Sequence, residues 1–515
     1  MQNSRREFLA DVGKGMLLAG IGPALATDLG VGSVFAGETA KELTFGKLES
    51  LVALMQETPP AKLLPLAVQK LRDGTDLRTL VAAATLANVR TFGGEDYIGF
   101  HTMMALAPSY HMARELPAEK QALPVLKVLY RNSNRIQEKG GRKDEVLHTV
   151  DPAAVPENRN GEALRDAVRS KNKDTAERTF AALAKTPDDA LNNLLAAVED
   201  ATEVHRVVMV YRAWDALDIV GKEQAHTMLR QSVRYCTQMC SERYDASVGG
   251  ARNVIPKLLD QYKLLGKAGK RTAEDSFVEQ LSQTIFKSTP EQAAEAAAAA
   301  LAEGFTPDII GEAISLATNQ LVLRDNGRPQ NQTSPNKPVG SIHGDSIGVH
   351  ACDSANAWRN IAKVSNQRNT VICLMLGAYQ AALDRIQRSG DFLTWEPYPR
   401  AEAREKVREV PRDKLLVEAE AAIKNKDQAR AAALVHRCGA LGIAARPVFD
   451  LLLRYAVSED GALHAEKYYR TATEEYNTAR PAFRWRQLIA LSRVTASAYG
   501  QPAPGYADAC RLLNV

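Results

Sequence analysis

The apolar segments of this chain have the lengths and the breaks of helices joined in pairs. Residues 63–71 and 77–89 form one predicted pair, with a break around Gly74. Residues 163–184 and 188–197 form another, with a break that contains a proline. No segment shows the alternation of apolar and polar residues that is typical of strands. The pattern therefore predicts an all-α protein.

Composition supports the helical interpretation and narrows the function. Of the 515 residues, 45% are hydrophobic and only 6% are aromatic, and good helix formers dominate. With 65 basic and 61 acidic residues, the chain has no excess of charge to bind nucleic acid. Six cysteines are too few for a disulfide framework, and the Cys236 and Cys240 spacing is not that of a zinc or haem motif. We expect buried thiols and no nucleic-acid partner.

The first 36 residues have the pattern of an export signal. Arg5 and Arg6 precede a mildly apolar, glycine-rich run that ends in small residues at Ala36. This pattern predicts a twin-arginine signal peptide at 1–36, export to the periplasm through the twin-arginine machinery, and no stable membrane span after cleavage. The alternative is an uncleaved amphipathic helix. Residues 37–515 are then one exported, all-helical domain, and a cofactor inserted before export is worth searching for.

Histidines reveal a degenerate repeat of helical hairpins. Four of them stand near the start of a predicted helix, at intervals of 104, 145 and 114 residues: His101, His205, His350 and His464. In the first two hairpins an aromatic residue follows nine positions later, namely Tyr110 and Trp214. Unequal intervals exclude a solenoid of fixed period. We predict that the hairpins close around one central site.

A long polar loop interrupts the helices at about 325–348. It is rich in Asn, Gly, Pro, Gln and Ser, and loops of this length are commonly functional or disordered. His343 lies near its end and is a candidate for covering a substrate or completing a site, with a loop-fixing hydrogen bond as the alternative role.

The four histidines are candidate metal ligands. Imidazole is a common nitrogen ligand for iron, zinc, copper and manganese. Lys467 shares a helix face with His464 three residues earlier, and a buried lysine can lose its proton and react with carbon dioxide to give a carbamate. The plain alternatives are hydrogen-bonded core histidines and a solvated surface lysine.

Two motifs resemble the questin oxidase-like proteins. The segment His350-Ala-Cys-Asp-Ser-Ala-Asn-Ala-Trp-Arg resembles that family's His-Ala-x-Thr-x-Ala-x-Ala-Leu-Arg motif. His464-Ala-Glu-Lys, with the hairpin that follows it, resembles the family's C-terminal His-x-x-Lys helix. His101 and His205 correspond to the earlier family histidines by placement only. Asp353 and Trp358 depart from the hydroxyl residue and the leucine of the family motif.

This resemblance implies an all-helical fold and a non-haem iron enzyme. Characterised members of the family include oxygenases that open anthraquinone rings, with the iron held by four histidines and a carboxylated lysine. Carried over to this chain, the resemblance implies Fe(II) at the following residues, with zinc and manganese as alternatives: His101, His205, His350, His464 and Lys467. The implied reactants are an aromatic or quinone-like small molecule and dioxygen.

Further residues are candidates for a substrate pocket or for orienting ligands. Tyr110, Trp214 and Trp358 each follow a candidate histidine by eight or nine residues, and packing in the core is the alternative role. Asp353 and Arg359 are candidates for orienting ligands or a polar substrate group. No general base is identifiable. Two other functions stay open: a helical scaffold with structural histidines, and a zinc-type hydrolase.

Overall fold

The structure is a computed structural model that describes residues 42–515, with short gaps at 157, 241–248, 267–268, 336, 343, 345 and 388–389. The chain separates into two units, Met1–Thr44 and Phe45–Val515, and nearly all of the described residues belong to the second. The predicted signal peptide and His343 lie outside the described residues. Among the described residues, no helix combines the length and apolarity that a bilayer crossing requires.

The prediction of an all-α fold is confirmed. In the described ranges the regular elements are helices, and extended pairing is confined to isolated bridges. The first half of the chain contains α1 (Glu49–Glu57), α2 (Pro60–Arg72), α3 (Leu77–Phe92), α4 (Tyr97–Ala113), α5 (Ala122–Glu138), α6 (Asn160–Arg169), α7 (Lys173–Leu183), α8 (Pro187–Val198), α9 (Val204–Asp215), α10 (Leu217–Val220), α11 (Ala225–Gln238) and α12 (Ala251–Tyr262). The second half contains α13 (Asp275–Lys287), α14 (Pro290–Ala302), α15 (Pro307–Arg324), α16 (Ile347–Val364), α17 (Gln367–Gln387), α18 (Ala401–Lys406), α19 (Leu415–Lys424), α20 (Gln428–Ala440), α21 (Ala445–Ser458), α22 (His464–Thr478), α23 (Trp485–Ala498) and α24 (Tyr506–Leu513).

Local capping explains where several helices begin. The Thr289 hydroxyl accepts from the Gln292 backbone N–H, the Gln292 side-chain oxygen accepts from the Thr289 backbone N–H, and Pro290 is the first residue of α14. The segment predicted as one helix at 163–184 is instead α6 and α7. Lys171 adopts a left-handed φ of 62°, and the Asn172 side chain caps α7. The prediction of a single helix there is wrong because a polar residue offers the backbone a cap.

The four candidate histidines lie on helices that pack in cyclic order. Helix α4 contacts α9, α9 contacts α16, α16 contacts α22, and α22 contacts α4. As predicted, each histidine lies near the start of its helix: His101 is fifth in α4, His205 second in α9, His350 fourth in α16 and His464 first in α22. Helices that are distant in sequence therefore present the same end to one region.

A buried ion pair joins α22 to α5. Lys127 Nζ lies 2.7 Å from Glu466 Oε1, with the two side chains 2% and 0% exposed, and also donates to the carbonyl oxygens of Ala456 and Glu459 at 2.9 and 2.8 Å. Because Glu466 lies between His464 and Lys467 in sequence, this pair holds the first turn of α22 against the rest of the fold.

We expect Lys127→Met to lower the free energy of unfolding by about 3–5 kcal/mol, because it leaves a buried carboxylate without its cation. The double variant Lys127→Met/Glu466→Leu removes both charges and is expected to regain at least about 2 kcal/mol. Urea unfolding of the full chain measures both values. If the single and double variants lose the same free energy of unfolding, the buried charge is not what holds α22 in place.

Candidate functional site

The structure brings the four candidate histidines together in two close pairs. The Nε2 atoms of His101 and His205 are 3.2 Å apart, and those of His350 and His464 are 2.9 Å apart. The two pairs are neighbours, since ring centroids are 5.2 Å apart for His101 and His464 and 5.7 Å apart for His205 and His350. The imidazoles thus form a closed ring of four, in the same cyclic order as their helices.

Hydrogen bonds at the other ring nitrogen fix the orientation of three imidazoles. The Nδ1 atom of His101 lies 2.6 Å from the Tyr97 carbonyl oxygen, and that of His464 lies 3.0 Å from the Ala462 carbonyl oxygen. The Nδ1 atom of His205 lies 2.7 Å from Glu203 Oε1. Because these partners only accept, each Nδ1 carries a proton, and in a neutral imidazole the Nε2 atom then presents a lone pair to the ring of four.

Burial and the nearby Lys467 charge hold the pKa of both His101 and His464 well below the ordinary value, so these two imidazoles are neutral and their Nε2 atoms carry lone pairs. Each of these lone pairs faces the Nε2 atom of a second imidazole, which satisfies it either by donating an N–H or by sharing a cation. A divalent ion bound at about 2.0–2.1 Å by each nitrogen would place neighbouring donors about 3 Å apart. The separations within each pair therefore suit a shared ion as well as an N–H···N hydrogen bond.

Within the described residues, the two pairs do not combine into one complete metal site. Across the part of the chain that the structure describes, no group of three or more His, Cys, Asp or Glu side chains has the arrangement of a metal site. What the described residues provide is two pairs of donors that face each other.

Glu203 is a functional candidate that the sequence analysis missed. Its side chain caps α9 by accepting from the Arg206 amide, accepts from the Tyr235 hydroxyl at 2.9 Å, and accepts from His205 Nδ1. Although burial opposes its charge, the bonds and charge of His205 lower the pKa of Glu203 to about 2. An ionised carboxylate on the far nitrogen of an imidazole is the usual support of a metal-binding histidine. A capping carboxylate two residues before a candidate histidine is the sequence signal for it.

Lys467 is buried with the imidazoles, not exposed to solvent. It is 1% exposed, and within the described part of the chain no group accepts a hydrogen bond from its amine. Burial lowers the pKa of Lys467 to about 8, against a smaller opposing effect of Asp353. At pH 7 about a tenth of this amine is therefore unprotonated, and that fraction can act as a nucleophile.

Asp353 and Arg359 of α16 both contact α22 but have different partners there. Asp353 Oδ1 accepts from the Thr471 hydroxyl at 2.8 Å, and burial raises the pKa of this carboxyl. Arg359 donates to Glu475 at 2.6 Å in a buried ion pair. Asp353 is thus placed to act on Lys467 through charge, whereas Arg359 fixes α16 to α22.

The three predicted pocket aromatics lie away from the histidines. Trp358 is buried and donates its indole N–H to Gln380 at 2.8 Å, as a core residue does. Trp214 lines a surface cavity, and the nearest ring to Tyr110 is that of His111 at 6.0 Å. Of the other described histidines, His226 stacks on Phe180 and His111 lies 4.0 Å from Asp215, so neither belongs to the ring of four.

Other aromatic residues border the imidazoles instead. The Tyr97 ring centroid is 4.4 Å from that of His101 and 5.6 Å from that of His205. Phe100 stacks on His101 at 4.9 Å and lies 5.3 Å from His205. Tyr97 is 59% exposed, so it stands between the ring of four and solvent.

Comparisons with known proteins gave no match. No protein-family model, no curated protein and no solved structure matches it. The site must therefore be interpreted from its own residues.

We expect the metal-free protein to hold His101, His205 and His464 in the tautomer protonated at Nδ1. The reason is that each Nδ1 faces an acceptor that cannot donate. Nitrogen-15 NMR of imidazole-labelled protein, with assignments from single His→Gln variants, measures the tautomers. Glu203→Ala is the matched control and should change the tautomer of His205 alone. Protonation at Nε2 instead of Nδ1 in His101 or His464 would contradict the orientation described above.

Proposed function

We propose that this protein is an exported, non-haem iron-dependent oxygenase of the questin oxidase-like type, which oxidises an aromatic or quinone-like small molecule with dioxygen. The observation that carries the proposal is the ring of four imidazoles, in which the neutral His101 and His464 present Nε2 lone pairs beside a buried lysine.

The donor set fits a divalent transition metal. Imidazole nitrogen suits Fe(II), zinc and manganese, and the spacing within each pair suits ligation of one shared metal ion. The residues that would hold the ion are His101, His205, His350, His464 and Lys467. Bound there, Fe(II) would supply the activation of dioxygen that no side chain of this chain can provide.

Charge favours a modified Lys467. A cationic ammonium beside a divalent ion would be repelled, whereas a carbamate would offset part of the ion's charge. In the modification, the unprotonated Nζ attacks the carbon of carbon dioxide, an N–C bond forms, and one proton leaves to solvent. The buried amine without an acceptor supports this reaction. The carbamate then acts as a long carboxylate ligand.

The remaining residues have supporting roles in the proposed reaction. Glu203 orients His205 through its Nδ1 proton, and the carbonyl oxygens of Tyr97 and Ala462 do the same for two other imidazoles. The rings of Tyr97 and Phe100 beside the imidazoles provide faces on which a planar aromatic substrate can stack. The predicted twin-arginine signal would carry the folded protein to the periplasm.

Metal analysis of the purified protein tests the proposal. We expect about one iron per chain, with His350→Ala and His464→Ala each removing it, because each takes away one of the four proposed imidazole ligands. His436→Ala is the matched control: this histidine lies outside the ring of four and should leave the metal content unchanged. Zinc without dioxygen consumption would indicate a hydrolase, and absence of any stoichiometric metal would indicate a scaffold with structural histidines.

Lys467 variants test the carbamate separately. Lys467→Met should lower metal affinity by about ten- to a hundred-fold, and a short carboxylic acid added to this variant should restore part of it by taking the place of the carbamate. Preparation in carbon-13 bicarbonate should give a carbamate signal in the wild type that is missing from Lys467→Met. If the labelled wild type shows no such signal while iron is bound, Lys467 is not carboxylated.

A further inference from the structure

A small cavity lies beside the first turn of α22, next to the ring of four. It has a volume of about 30 Å³ and is bounded by the last turn of α21, the start of α22, the last turns of α23, and Gly344 of the polar loop. Gly344 also lies directly against His464, since a Cβ atom at this position would collide with the Cβ atom of His464. Ala465, the residue after His464, lines the cavity as well. The cavity and His464 therefore share part of one wall.

The size of the cavity suits a diatomic molecule. A cavity needs about 10–15 Å³ to hold one water-sized molecule. A volume of about 30 Å³ thus has room for roughly two such spheres in contact. Sites for drug-sized organic molecules begin at about 300 Å³, so the proposed aromatic substrate does not fit here.

The wall of the cavity is mainly apolar. Aliphatic residues and two glycines form most of it: Gly344, Ala456, Gly461, Ala465, Leu491, Val494 and Ala498. Two polar side chains of the wall use their hydroxyl protons elsewhere. The Tyr455 hydroxyl donates to Glu420 at 2.9 Å, and the Thr495 hydroxyl donates to the Leu491 carbonyl oxygen of its own helix at 2.9 Å. Neither proton is free for a guest in the cavity.

The other two polar side chains of the wall also have partners. The Glu459 carboxylate accepts from the Gln501 backbone N–H at 2.7 Å and from Ser458 Oγ at 3.3 Å. The Tyr468 hydroxyl faces the Cys352 thiol, which is a weak hydrogen-bonding group. A buried water needs about two to four polar partners, and these side chains leave too few. A guest in this cavity is therefore expected to be apolar.

We propose that this cavity is a dioxygen site, which holds the gas next to His464 before it reaches the ring of four. The inference rests on the proposed function, because dioxygen is needed there only if the protein is an oxygenase. Dioxygen is small, diatomic and uncharged, so it loses little on leaving water and gains dispersion contacts with the aliphatic wall. The cavity matches this molecule in size, polarity and position.

Xenon, which enters small apolar cavities, is the probe for the site itself. We expect xenon dissolved under pressure to shift the carbon-13 methyl signals of Ala456 and Ala465 in alanine-labelled, full-length protein. Ala456→Leu fills the cavity and should remove the shift at Ala465, whereas Val494→Ala enlarges it and should strengthen xenon binding by about three-fold. Ala421→Leu, the same change at an exposed alanine of α19, is the matched control and should leave the shifts as they are. Absence of xenon-induced shifts, or a shift at Ala465 that Ala456→Leu does not change, would overturn the proposal.

Dioxygen itself is tested with the Fe(II)-loaded protein. The protein is mixed with dissolved dioxygen, and the rate of iron oxidation is followed by absorbance. Ala456→Leu should slow this oxidation by at least about five-fold with iron content unchanged, and Val494→Ala should not slow it. Iron that is bound but oxidised at the wild-type rate in Ala456→Leu would overturn this inference alone. A protein that binds no iron would overturn the proposed function and this inference together. Circular dichroism of every variant checks that the fold is intact.

Discussion

The proton on Nδ1 of three imidazoles determines what the centre of this protein can be. Carbonyl oxygens and one carboxylate accept these protons at N···O distances of 2.6–3.0 Å, so the opposite nitrogens face the ring of four. The lone pairs of the neutral imidazoles are thereby directed into this ring. The caps and ion pairs around it position those acceptors, as Glu203 does for His205 while it also starts α9. The orientation of His205 and the start of α9 thus depend on the same side chain, Glu203.

Much of the fold could be predicted because helices leave a strong local pattern. Composition and breaks predicted the all-α class, and the histidines do lie near helix starts. The split between α6 and α7 was missed because it depends on one cap, the Asn172 side chain, inside an otherwise helical pattern. Whether the hairpins form a true repeat that closes around a functional centre stays a prediction.

Aromatic residues of the site were expected after each histidine in the sequence, whereas those that border His101 precede it. Side chains on an α-helix tilt toward its N-terminus, so the neighbours of a histidine near a helix start are the residues just before it. Tyr97 and Phe100 satisfy this condition for His101. A residue nine positions later, such as Trp214, is carried to the opposite end of the helix. Glu203 was missed for a related reason, since it precedes its helix and was not counted among the candidates.

Because α4, α9, α16 and α22 pack in cyclic order, the ring of four can form only after all four helices have been synthesised. The first imidazole comes from near the start of the domain and the last from near its end, so a chain still being synthesised holds at most three of them until α22 emerges. Capture of an ion by all four would then report that synthesis and folding are finished. Under the proposed twin-arginine export, a filled centre would distinguish folded molecules that are ready for export from those that are not.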